Sequence, residues 1–304
     1  ITSTANRAMI GGMVGNNSSG TTSIVYGVTR DKVISLHTIL SDGKKVVFRE
    51  LSAEDFKRKC GQKDLEGNLY RQVWEELGQP ETRAEIHAQF PKKSIHRRNT
   101  GYAVDELLQA SQFEGTENFN FCKLLTGSEG TLAFTTEIKL RVDPLPDPVE
   151  IVVAAHFESI HESMKSAQVA MKHPVTAVEL MDKIILDCTK ESIEYSKNRY
   201  FVEGDPKAIL MIEFRGKTLE EATAKGEALV ADLKGAGYGY AYPIIEPEKV
   251  ASAWALRAAG LGLLGNIPGD PKAVACIEDT AVDIEDLADY IDELDEILEA
   301  FNQS

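Results

Sequence analysis

The 304-residue chain has no run of about 18 consecutive apolar residues, so no helical membrane span is expected. Basic residues are scarce, 33 Lys and Arg against 48 Asp and Glu. The resulting net charge of −15 argues against a nucleic-acid or anionic-membrane partner. Only four cysteines occur, Cys60, Cys122, Cys188 and Cys276, far apart and with no C-x-x-C or Cys/His grouping. A zinc or iron–sulfur site is therefore not expected, and buried thiols in a reducing cytoplasm are. The six histidines, His37, His87, His96, His156, His161 and His173, form no H-x-H or H-x-x-x-H pair. The first residues, ITSTANRAMIGG, lack the apolar centre of a signal peptide. No repeat or low-complexity segment is present. What remains is a soluble globular composition, 43% apolar, long enough for two domains with their own cores.

The stretch Met9–Asp31, MIGGMVGNNSSGTTSIVYGVTRD, is the most unusual one. Gly11, Gly12, Gly15 and Gly20 fall within ten residues, interleaved with Asn16, Asn17, Ser18 and Ser19. Glycines at this density let a loop turn with positive φ and approach a ligand, while Asn and Ser add short hydrogen-bonding groups. A Walker-type phosphate loop is excluded, because Gly20 is followed by Thr21 and no lysine comes before Lys32. A Rossmann fingerprint is excluded by the spacing and by the next element, a hairpin of Val33–Leu40, a turn over 41–43, and Lys45–Phe48. A ligand-free polar surface loop stays open as the alternative.

A second tight polar turn, Gly127-Ser128-Glu129-Gly130-Thr131 within LLTGSEGTLAFTTEIKL, also leads into a strand. On these two motifs, the chain resembles the FAD-linked oxidases of the vanillyl-alcohol oxidase superfamily. The nearer likeness is to their D-lactate, glycolate and D-2-hydroxyglutarate dehydrogenase branch. RRNTGYAVDELL, AWALRAAGL and CIEDTAVDI are similar to segments of the same branch. The resemblance implies an α+β chain in two parts. Residues 1–146 would be the second part of a PCMH-type FAD-binding domain with a helical insertion at about 50–110. Residues 147–304 would be a ferredoxin-like α+β cap, truncated at its C-terminus.

Taken in order, the chain supports that division. Ser52 followed by Asp55 predicts a helix start. Leu69, Val73, Trp74 and Leu77 have helical spacing within 65–77, Pro80 interrupts, and a further helix over 81–90 ends at Pro91. PKKSIHRRNT is the one dense basic segment, read as a solvated face or as a patch near an anionic ligand. Three prolines in Asp143–Pro148 predict a stiff junction. Beyond it, strands are expected over 151–157, 175–181, 208–214, 240–245 and 273–277. Helices are expected over 159–171, 182–196, 219–234 and 247–264, with a last one capped by Asp283.

Arg257 is the most pointed chemical candidate, a guanidinium in the otherwise apolar helix AWALRAAGLGLLG. It must find an anion or reach solvent, and its planar fork grips a carboxylate at two points. The resemblance makes it the anchor of the substrate carboxylate; an ion pair with a helix neighbour is the alternative. The resemblance also puts Asn99, Gly101 and Tyr102 near the flavin side, with a core tyrosine as the other reading of Tyr102. It makes Gly11, Gly12, Gly15, Asn16, Asn17, Gly20, Tyr26, Gly27, Gly127, Ser128, Glu129 and Gly130 the cofactor-binding set. Glu278 and Asp279 read either as acid–base groups or as a cap of the following turn, and Glu179 reads as structural. The implied activity is oxidation of a D-2-hydroxy acid to the 2-oxo acid, with FAD as cofactor and an unidentified electron acceptor, in the cytoplasm or at the inner face of its membrane. The resemblance further implies an internal piece of a longer enzyme, inactive by itself, with the catalytic base and any metal ligands outside it. A non-catalytic module that keeps the fold, and a cell-wall precursor reductase with a different cap, are the rival readings.

Overall fold

The computed structural model describes residues 2, 5–98, 101–190, 192–264, 277 and 280–303. It divides into two compact units, Ile1–Pro144 and Leu145–Ser304. In the first unit the glycine-rich stretch is not all loop. It begins as a short helix, α1 (Ile10–Asn16), followed by α2 (Ser23–Tyr26) and a 3-10 turn at Thr29–Lys32. The expected positive-φ glycines are not Gly11, Gly12, Gly15 or Gly20. The residue that turns left-handed is Asn17, at φ 54°, and Gly27 follows at φ 70°. Asparagine tolerates this region because its short polar side chain can bond locally.

The hairpin follows as β1 (Val33–Ile39) and β2 (Lys45–Arg49). The β3 strand (Phe134–Leu140) adds antiparallel to the other edge of β1, giving the order β2-β1-β3. Between β2 and β3 run α3 (Ala53–Cys60), α4 (Leu65–Leu77), α5 (Pro80–Gln89), α6 (Val104–Leu107) and α7 (Cys122–Leu125). Ser52 caps α3 by accepting from the Asp55 N–H at 3.1 Å. Pro80 does not merely interrupt: it opens α5 at the first helical position, where its missing N–H costs nothing. The insertion is held to the hairpin by aromatic packing. Phe56, Tyr70, Phe119 and Phe121 are buried with ring centroids 4.7–5.8 Å apart, and Phe48 of β2 meets Phe121 at 5.3 Å.

The second unit is built on an antiparallel sheet in the order β5-β6-β4-β7. Its elements are β4 (Val149–Phe157), α8 (Ile160–Ala170), β5 (Ala177–Asp182), α9 (Lys183–Lys190), β6 (Ala208–Gly216), α10 (Leu219–Ala236), β7 (Ile244–Ile245), α11 (Pro247–Leu264) and α12 (Leu287–Ala300). This is the β-α-β-β-α-β arrangement of a ferredoxin-like fold, with α9 added between its second and third strands. The two central strands, β4 and β6, are buried on both faces. One face of β4, with Ile151, Val153 and Ala155, packs on α8 and α10; the other, with Val152 and Ala154, packs on α11. Gly226 permits the close approach of α10, since a Cβ there would lie 2.9 Å from Ile151 and 3.1 Å from Val153.

Several expectations need correction. The strand expected over 240–245 shrinks to Ile244–Ile245, because the ladder with β4 continues past it only as a bridge at Ala241. Helix α9 stops at Lys190 rather than 196. Asp283 does not cap α12. Its carboxylate accepts from the Glu285 N–H in a local turn, and the helix starts at Leu287. Buried thiols hold for Cys122, while Cys60 and Cys188 are half-exposed. Of the strand expected over 273–277, all but the last residue, Cys276 included, lies outside the described residues, as do Asn99, Glu278 and Asp279.

His156 on β4 is wholly buried. Its Nδ1–H donates to Ala154 O at 2.8 Å and its Nε2 accepts from the Glu203 N–H at 3.1 Å, which requires the neutral ring. Burial lowers its pKa below the ordinary 6.5. The unfolded chain therefore binds a proton that the folded chain refuses, so stability is lost as pH falls below about 6.5. We predict that the difference in melting temperature between the parent and His156→Leu narrows from pH 7.5 to pH 5. A pH-independent difference would show that His156 does not carry this linkage.

Candidate functional site

In the first unit the two glycine motifs, more than a hundred residues apart in sequence, meet. Helix α1 ends at Asn17, whose side-chain Oδ1 accepts from the Arg30 N–H at 2.8 Å. The turn after α7 closes on the same helix end. The Gly127 N–H donates to Val14 O at 3.0 Å and the Glu129 N–H to Gly15 O at 2.9 Å. Asn16 Nδ2 donates to Glu129 Oε1 at 3.0 Å. The carbonyls that a helix leaves without partners at its C-terminus are thus answered by the second motif.

Arg30 locks the other side. Its Nε–H donates to Lys123 O at 2.8 Å and Nη2–H to Thr126 O at 2.9 Å, taking carbonyls at the end of α7. Burial lowers its pKa, with the Glu106 carboxylate opposing. Gly127, at φ +92°, leaves room for this side chain: a Cβ there would lie 3.1 Å from Arg30 Nη2 and 3.3 Å from Asn17 Cβ. Glu129 and Gly130 are also left-handed, and Ser128 is buried with its hydroxyl on Leu125 O at 2.8 Å. The Thr126 hydroxyl is fully buried and finds no partner among the described residues.

Around this knot the backbone is bare. Among the described residues a Cβ at Gly11, Gly12 or Gly130 would meet nothing within 4 Å, and Met9, just before α1, is 80% exposed. Gly15 packs on the backbone of Glu129, Gly20 is buried, and Tyr26 is half-buried at the end of α2. Gly27 is a tight position of another kind, since a Cβ would come within 2.3 Å of Asp31 Oδ2, which binds the Val28 N–H and His96. Tyr102 is not a core tyrosine. It is 45% exposed and its hydroxyl lies 2.7 Å from Thr131 Oγ1, at the end of the second motif.

Arg257 belongs to the second unit, on α11. Its ion-pair partner is Glu179 on β5, not a neighbour on its own helix. Three residues earlier on α11, Trp254 Nε1–H donates to Glu150 Oε1 at 2.9 Å. Arg215 joins Glu150 to the buried Glu213, which it reaches through Nε at 2.7 Å, and Thr176 donates to Glu213 at 2.8 Å. Burial, then the neighbouring Glu213 charge, raises the pKa of Glu150. The sheet face under α11 therefore carries Glu150, Glu213, Arg215 and Glu179 beyond its apolar part. Sequence reasoning missed this network and Arg30. The available signal was charge at alternate positions, Glu213 and Arg215, at the end of an otherwise apolar strand.

The knot generates a direct prediction. Gly127→Val puts a β-branched residue at positive φ and presses on Arg30, at a cost of roughly 2–4 kcal/mol from strain and loosened carbonyl contacts. Urea unfolding should show the first unit melting earlier and the second unchanged. Unaltered unfolding would show that the turn does not depend on its glycine.

A family model described as FAD linked oxidases, C-terminal domain, matches residues 147–303. A second, described as FAD binding domain, matches residues 2–49. The chain is 32% identical to the D-2-hydroxyglutarate dehydrogenase of Pseudomonas putida over 308 residues, covering 98% of this chain and 29% of that protein. It is 31% identical to the enzyme of the same name from Escherichia coli, covering 99% and 30%. It is 24% identical to the mitochondrial D-lactate dehydrogenase [cytochrome] of Arabidopsis thaliana, covering 93% and 38%. The chain thus spans less than a third of the length of its D-2-hydroxyglutarate dehydrogenase relatives. No helix among the described residues is long and apolar enough to cross a membrane. With more than half of its length matched, this chain belongs to the FAD-linked oxidases.

Proposed function

We propose that the chain is part of an FAD-dependent dehydrogenase that converts a D-2-hydroxy acid to the 2-oxo acid and passes electrons to a separate acceptor. The observation that carries the reading is the meeting of the two glycine motifs over a bare backbone face in a chain of this family. The residues present fit FAD. Backbone free of side chains at Gly11, Gly12 and Gly130 admits close approach of a large polar ligand, and Asn16, Ser18 and Tyr102 offer hydrogen-bonding groups beside it. Those residues, with Gly15, Asn17, Gly127, Ser128 and Glu129, would hold it.

When bound, FAD supplies the two-electron acceptor for the substrate's Cα–H. The protein's own part is to bind and orient. Arg257 would hold the substrate carboxylate with its fork, fixing Cα. Loss of the hydroxyl proton needs a base, and none of the described residues is assigned to it. The names of the relatives support D-2-hydroxyglutarate and D-lactate as the substrates to try first.

The same ion pair with Glu179 would also suit a purely structural arginine, and kinetics separate the two. In the full-length protein, Arg257→Lys keeps the charge and loses the two-point grip. We predict that kcat/KM for D-2-hydroxyglutarate falls about ten- to a hundredfold or more, the loss of one charge-assisted bond, with flavin absorbance and melting temperature unchanged. A lower melting temperature with intact kinetics per folded molecule would overturn the anchor role. A colourless full-length protein that turns over neither acid would overturn the proposed function itself.

A further inference from the structure

Arg257 uses little of its donor capacity. A guanidinium carries five N–H groups. Among the described residues its partner is Glu179 alone, reached through Nη2. The arginine side chain remains 37% exposed while the glutamate is 12% exposed. Arginine–carboxylate pairs are frequently bidentate, with two parallel N–H···O bonds, and this one is not. Here the glutamate takes one corner, and Nε and Nη1 have no partner among the described residues.

The surroundings give that single contact leverage. Glu179 sits on β5 opposite Met211 of β6, on a strand paired along its length, so its backbone is rigid. Helix α11 is fixed in rotation by buried Val250, Ala253 and Leu256 against the sheet and by the Trp254–Glu150 bond one turn before Arg257. With both ends of the pair anchored, the glutamate sets where the free edge of the guanidinium points.

We infer that Glu179 is a positioning residue: it aims the Arg257 guanidinium so that its free edge receives the substrate carboxylate, and it acts through Arg257 rather than on the substrate. This rests on the reading of Arg257 as the carboxylate anchor. The arrangement has an unusual kinetic consequence. Glu179→Gln removes a negative charge beside the anchor, which favours an anionic substrate, and releases the guanidinium from its aim, which harms orientation. Binding and turnover should therefore separate.

The test uses the full-length, FAD-loaded enzyme, D-2-hydroxyglutarate as substrate and a dye as electron acceptor. Glu179→Gln and Arg257→Gln are compared with the parent, and melting temperature is read on each preparation. The expected result is a fall in kcat of roughly ten- to a hundredfold in Glu179→Gln with KM unchanged or lower, while Arg257→Gln raises KM. Unchanged kcat and KM in Glu179→Gln beside an impaired Arg257→Gln would overturn the inference and leave the anchor standing. A raised KM in Glu179→Gln, parallel to that of Arg257→Gln, would also overturn it. Unchanged kinetics in Arg257→Gln would instead overturn the anchor reading, and the inference with it. If Glu179→Gln fails to fold, Glu179→Asp keeps the charge, shortens the reach and carries the same kcat-against-KM test.

Discussion

The carbonyls at the ends of two short helices govern the first unit. Helix α1 has glycine at three of its seven positions, and glycine costs about 1 kcal/mol relative to alanine in a helix. Such a segment does not hold a helix by propensity. It does so because Val14 O and Gly15 O are bonded by the Gly127 and Glu129 N–H groups, and because Asn17 turns left-handed to close the end. Arg30 applies the same logic to α7.

The second unit solves a different problem. Its central strands are sandwiched between helices and leave no room for unpaired charge, yet Glu213 is buried among them. The charge is tolerated because Arg215 and Thr176 bond it, and Arg215 also serves Glu150. Placing these groups where the sheet face emerges from under α11 orders Trp254 and sets the helix on which Arg257 stands. Burial of charge and a defined helix position are therefore one feature rather than two.

Local chemistry was legible where it acted alone. The Ser52 cap, the spacing of α4 and the full extent of α11 could be read from residue order, since capping and periodicity are properties of adjacent residues. The glycine stretch was misread as open loop because its helix is imposed from a distant turn. Asp283 has the residue type of a cap, but its carboxylate is spent on a turn before the helix begins. Tyr102 could be exposed or buried by sequence, and only its placement beside Thr131 decided it.

The sequence by itself determined the α+β class, the extents of most helices, the two glycine motifs and the likeness to flavin-linked oxidases, because these depend on composition, short-range periodicity and motif spacing. Only the tertiary contacts show that the two motifs meet, that Arg30 closes their junction, and that Arg257 is paired from β5 rather than from its own helix. Hydrogen bonds between residues 78 to 113 positions apart are invisible to local pattern, because what selects the partner is the path of the chain between them.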